Sequence, residues 1–175
     1  MAKFVQSAEM TEYFDSLNRS STTGKIANRL EQWWLCAQIG LITGQTGDSP
    51  GAGSSDMVDY FIKSMEDSQT RIRGLFLVKQ FEKVDAGGLE REILESEIQR
   101  LLSVSDSRLS DDSTRLLDRY ATGGLEIIKE EIGKKEELYV FMIRYHELVK
   151  RAVSEGWGQS SISSIPEWGS EANSQ

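Results

Sequence analysis

The 175-residue chain carries 28 Asp and Glu against 20 Lys and Arg, a formal net charge of −8, which excludes general, salt-driven attraction to phosphate backbones as its main mode of binding. A single cysteine, Cys36, can form no internal disulfide. No apolar stretch nears the ~20 residues needed to cross a bilayer, and no basic leader precedes the first amphipathic segment, so the expected setting is the cytoplasm.

A chain of this length suits one domain, and its Leu, Ile, Glu and Arg content with only two prolines suits helices. Residues 8–18 place Met10, Tyr13, Phe14 and Leu17 on one helical face, with Glu9, Glu12 and Asp15 opposite and Ser7 as N-cap. Residues 25–43 repeat the spacing with Ile26, Leu30, Trp33, Trp34, Ala37 and Leu41, and Cys36, Ile39 and Ile42 widen the apolar arc. A helix apolar over so wide an arc is central to a bundle or shared with a partner. Residues 44–55, GQTGDSPGAGSS, read as a mobile glycine-rich loop.

Ser55 or Asp56 can cap a further helix reaching about Asp67, with Met57, Tyr60, Phe61, Ile62 and Met65 as its stripe. Residues 69–84 suit either a helix, through Ile72, Leu75 and Phe76, or a short strand around Val78; the helix fits better. Residues 88–103 form another amphipathic helix, and Asp111, Asp112 or Ser113 caps a segment from Thr114 to about Ile132. Gly123 and Gly124 interrupt that segment at about 1 kcal/mol each relative to alanine, which points to a break, two short helices or a close helix crossing. Residues 136–154 align Leu138, Phe141, Met142, Tyr145, Leu148, Val149 and Ala152. From Glu155 the periodicity ends. The expected architecture is all-α, a single bundle of about six or seven helices over residues 1–154, followed by a flexible tail over 155–175.

No catalytic or cofactor motif survives inspection. A phosphate-binding loop requires a glycine five residues before Gly24-Lys25 and a hydroxyl residue after them, and the chain has Arg19 and Ile26 there. Cys36 lies mid-helix with His146 as the only imidazole in the chain, so a buried structural thiol is the better reading than a nucleophile. One Cys and one His cannot supply a zinc site. The acidic pairs Asp111–Asp112, Glu130–Glu131 and Glu136–Glu137 read as solvated helix faces.

Tryptophans offer the more informative signal. Trp157, Ile162, Ile165 and Trp168 stand in a segment with no helical period, where large apolar side chains either anchor a partner or fold back onto the domain's own surface. Together with Trp33 and Trp34 they are the candidate partner contacts. Arg71, Arg73, Lys79 and Lys83 are the candidate nucleic-acid contacts of an alternative reading, although on a helix they fall only partly together.

Residues 17–42, LNRSSTTGKIANRLEQWWLCAQIGLI, carry Leu17, Thr23-Gly24, Asn28-Arg29, Cys36 and Gly40-Leu41 in an order that resembles the early part of DndE-type proteins, small helical components of bacterial DNA phosphorothioation systems. The resemblance implies a bacterial genome-defence or DNA-modification setting. The expected function is that of a non-enzymatic accessory subunit docking on a larger ATPase, nuclease or modification enzyme, with homo-oligomerisation left open and a DNA-associated helical protein as the alternative.

Overall fold

The computed structural model describes residues 2–83, 91–133 and 137–154. In chain order the elements are β1 (Val5–Gln6), α1 (Ala8–Ser20), α2 (Arg29–Thr43), β2 (Ser55–Asp56), a 3-10 helix (Lys63–Ser68), α3 (Gln69–Lys83), α4 (Arg91–Leu101), α5 (Asp111–Glu131) and α6 (Leu138–Ser154). Over the described residues the fold is all-α, six helices with one antiparallel strand pair in which Val5 faces Asp56 and Gln6 faces Ser55.

α2 is the central helix, packed by α1, α3, α5 and α6. Its apolar arc is therefore consumed inside the bundle: Leu30, Trp33, Cys36, Ala37, Ile39 and Leu41 are all buried. It begins later than the periodicity predicts. Asn18 clamps the backbone of Ile26 from both sides, accepting from its N–H at 2.9 Å and donating to its carbonyl at 3.0 Å. That holds residues 25–28 outside the helix, and Asn28 caps α2 by accepting from the Leu30 N–H. Gly44 ends it with φ 77°, the left-handed turn that glycine enters without a Cβ penalty.

Gly123 and Gly124 lie within an unbroken α5, and the close crossing is the outcome. A methyl group on Gly124 would overlap the Cys36 carbonyl oxygen, and one on Gly40 would overlap that of Tyr120. The two backbones thus pass in direct contact. The glycine-rich stretch after α2 is drawn into the same crossing. The Gly47 N–H donates to the Arg119 carbonyl at 2.9 Å, and a Cβ on Gly123 would lie 2.7 Å from both the Gln45 oxygen and the Gly47 nitrogen.

The expected helix from Ser55 to Asp67 does not form. Residues 55–58 pair instead with the N-terminal arm, the Phe4 N–H donating to Val58 and its carbonyl accepting from Met57, so long-range pairing satisfies the backbone that a local helix would have satisfied. Only Lys63–Ser68 turns, as a 3-10 helix. Phe4 explains why the arm binds there: its ring is fully buried 4.7 Å from Trp33 and 5.4 Å from Phe61. The N-cap of α5 is Ser110, one residue before the expected acids, and its hydroxyl accepts from the Ser113 N–H.

Candidate partner-docking surface

The exposed apolar surface gathers on α6. Its inner face is fixed in rotation by three sets of contacts. Phe141 packs edge-on to Phe14 and stacks on Tyr145. The Tyr145 hydroxyl bonds the Leu35 carbonyl at 2.9 Å and the Gln38 side chain at 3.1 Å. Leu148 and Ala152 complete the buried stripe. At the start of the helix Glu137 accepts from the Thr22 N–H, and the Leu138 N–H donates to Ser21. On the α5 side Arg144 donates to the Ile132 carbonyl and Arg151 pairs with Glu131.

With that azimuth locked, the opposite face is left facing outward. Tyr139 is 58% exposed, Met142 43%, Ile143 54% and Val153 56%. Their spacing of three, one and ten residues keeps all four on one side of the helix at 100° per residue, over about 21 Å of its axis. Single exposed apolar residues are ordinary, whereas Tyr139, Met142 and Ile143 cluster at the start of the helix, with Val153 apart from them near its end. His146 and Lys150 stand within the stripe and are exposed. α6 carries one acidic residue, Glu147, against Arg144, Lys150 and Arg151, a local cationic balance in a chain of net charge −8. Between α5 and α6, beside the stripe, lies a cleft of about 450 Å³ lined by Glu131, Ile132, Arg144, Glu147, Leu148 and Arg151. Its chemistry is two buried aliphatic groups framed by two guanidinium groups and two carboxylates.

The residues predicted from sequence fare differently. Trp33 is fully buried and its indole N–H donates to Asp118 at 3.0 Å, so it is a core residue with no surface to offer a partner. Trp34 is half-buried against the core. Trp157, Ile162, Ile165 and Trp168 lie outside the described residues. Of the basic candidates on α3, Arg71 is exposed. Arg73 turns toward the turn after α4, bonding the Ser107 carbonyl; burial, then the neighbouring Arg108, lowers its pKa. Lys79 is only 8% exposed and bonds Glu82 at 2.7 Å. It is no part of a basic face, because its ammonium is held beside Gly44 at the end of α2, where the unsatisfied carbonyls of a helix terminus favour a cation. The side chain of Lys83 lies outside the described residues.

Cys36 is fully buried, and burial pushes its thiol pKa well above the usual range, the opposite of what a nucleophile needs. His146 is on α6 and Cys36 on α2, with the imidazole exposed. Among the described residues no three His, Cys, Asp or Glu side chains come together as metal ligands, and no helix is long and apolar enough to cross a membrane.

One titratable group escaped the sequence reading. Asp118 sits on the buried side of α5 and accepts at 3.0 Å from both the Val5 N–H and the Trp33 indole. It thereby ties the N-terminal arm to α2 and α5. Desolvation raises its pKa to about 7 against the two donors, which lower it, with Asp56 adding a smaller upward push. An acid placed between Leu117 and Ala121 on an apolar stripe was the available signal.

No family model, curated protein or solved structure matches this chain.

Proposed function

We propose that this protein is a non-enzymatic accessory subunit that docks on a larger protein through the outer face of α6. The observation that carries the reading is the stripe of Tyr139, Met142, Ile143 and Val153, held outward by an inner face that cannot rotate. The partner surface it fits is an apolar ridge with an acidic side chain to meet Lys150, which stands within the stripe. The setting, a bacterial assembly for genome defence or DNA processing built on an ATPase, nuclease or modification enzyme, rests on the resemblance of residues 17–42 to DndE-type proteins. Leu17 is a core residue, Asn28 caps α2 and Gly40 lies at the α2–α5 crossing, so the shared residues concern the fold. The DNA-associated alternative has less support, with Lys79 inside the protein and Arg73 engaged by Ser107.

The test is natively expressed, tagged full-length protein against Ile143→Glu and Tyr139→Ser. The expected result is one stoichiometric large partner with the unaltered chain. The purified partner then rebinds that chain, and each substitution weakens rebinding at least tenfold while leaving the thermal midpoint within a few degrees. A partner that rebinds both variants as tightly as the unaltered chain, or a chain that elutes alone as a monomer, would overturn the reading.

A further inference from the structure

Resting on the reading of α6 as a docking face, we propose that residues 155–175 of the same chain cover this face in the free protein, and that a partner engages it by displacing them. Three observations converge. The first is position. The segment begins where α6 ends, at Ser154, so it is tethered to the end of the stripe it would cover. A tether of this kind gives an effective concentration on the order of millimolar, enough for modest contacts to hold.

The second is chemistry. The segment contains Glu155, Glu167 and Glu171 and no Lys or Arg, while its large apolar residues are Trp157, Ile162, Ile165 and Trp168. That is the counterpart of α6, whose outer side is apolar with Lys150 exposed among the apolar residues, and whose α5 side carries Arg144 and Arg151. The cleft beside the stripe brings together the aliphatic side chains of Ile132 and Leu148 with Arg144 and Arg151, group types that an indole meets through its apolar body and its π-face.

The third is reach. The stripe is about 21 Å long, whereas 21 residues extend up to about 70 Å. Covering the stripe would require the chain to turn back after Ser154, and the sequence there has Gly156 and Gly158 on either side of Trp157, residues free to enter tight turns without a Cβ penalty. Trp168 is 11 positions after Trp157, about 36 Å when extended, so the anchors can span the stripe with slack.

The arrangement makes the segment a competitor for the partner's site. A segment that covers the face nine-tenths of the time weakens partner binding about tenfold, since only the uncovered fraction is competent.

The experiment uses the full chain carrying Ser170→Cys, labelled with a nitroxide; Cys36, being fully buried, stays unlabelled in the folded protein. Methyl and amide resonances are read with the label oxidised and reduced. The expected result is paramagnetic broadening of Met142 and Ile143 at dilute concentration, with the α3 residue Val78, also exposed, unaffected. The broadening disappears on Trp157→Ser with Trp168→Ser, substitutions outside the described core, and separately on Tyr139→Ser. Absence of broadening at α6 overturns the proposal. So does broadening that appears only when isotope-labelled and spin-labelled chains are mixed, which would assign the face to a second copy. Both readouts are taken on the isolated chain, so this proposal can fail while partner docking through α6 stands, and the reverse.

Discussion

Replacing Asp118 by asparagine isolates a buried carboxylate, the one among the described residues that the fold holds against its solvation preference. The amide of the Asp118→Asn variant keeps an oxygen for the Val5 N–H and the Trp33 indole, both 3.0 Å from the native carboxylate, but cannot ionise. In the native protein the group has a pKa of about 7, raised from 3.8 by burial. Between those values the folded state retains a proton that the unfolded state has released. Stability from this group is therefore fully present below about pH 4 and is lost as pH rises through 7. At 1.36 kcal/mol per unit the full loss is about 4 kcal/mol, of which roughly 2.7 falls between pH 5 and 7. Urea unfolding of both proteins at pH 5, 6, 7 and 8 gives the difference directly, other titrating groups cancelling. The expected outcome is a variant that gains on the native protein by about 1.4 kcal/mol per unit up to pH 7 and then levels off. Asp56→Asn should move the levelling point to lower pH, because Asp56 contributes to raising the Asp118 pKa. A stability difference that stays flat from pH 5 to 8 would refute the reasoning and show that the two donors outweigh desolvation.

The packing of α2 makes the remaining predictions. Gly124→Ala places a methyl group into the Cys36 carbonyl and is expected to cost about 3 kcal/mol. Gly74→Ala, in a helix and with nothing within 4 Å of the added carbon, should gain up to ~1 kcal/mol; urea midpoints shifting in the same direction for both would contradict the close crossing. Cys36 should react with a thiol reagent no faster than the protein unfolds, since it is fully buried with its thiol pKa raised; modification much faster than unfolding measured by fluorescence would show that α2 is accessible in the folded state.

Most of the helical architecture is legible from periodicity. The stripes of α1, α2, α5 and α6 each include the residues found buried, such as Met10, Phe14, Trp33, Leu125 and Phe141. What misled was any segment whose backbone is satisfied from far away. Met57, Phe61 and Met65 have helical spacing, yet residues 55–58 are held by Phe4 and by β1, more than fifty positions distant in some pairs and close to that in the rest, and no local pattern carries that information. The glycine-rich stretch likewise looks mobile in isolation. It is Arg119 and Gly123 on α5 that give Gly47 a fixed place. Trp33 and Trp34 illustrate the same limit at one residue's resolution: adjacent indoles are 100° apart on a helix, one donates to Asp118 in the core, and the other lies at its margin.

α6 shows why an exposed apolar face is harder to read than a core. Its apolar residues fall into two stripes, Phe141, Tyr145, Leu148 and Ala152 on one side and Tyr139, Met142, Ile143 and Val153 on the other. Each has helical spacing, so periodicity alone admits either as the core side, and the predicted stripe merged them by including Met142. The choice is made by polar groups. Tyr145 reaches two acceptors on α2, and Arg144 and Arg151 bond the end of α5, so rotating the helix to bury Tyr139 and Ile143 would break those bonds and expose Phe141. The core is already closed by α1, α2 and α5 against the inner stripe. The bundle therefore has no place for the outer stripe, and only chain from outside it, a partner in the docking reading or residues 155–175 in the proposal above, can cover Tyr139 and Ile143.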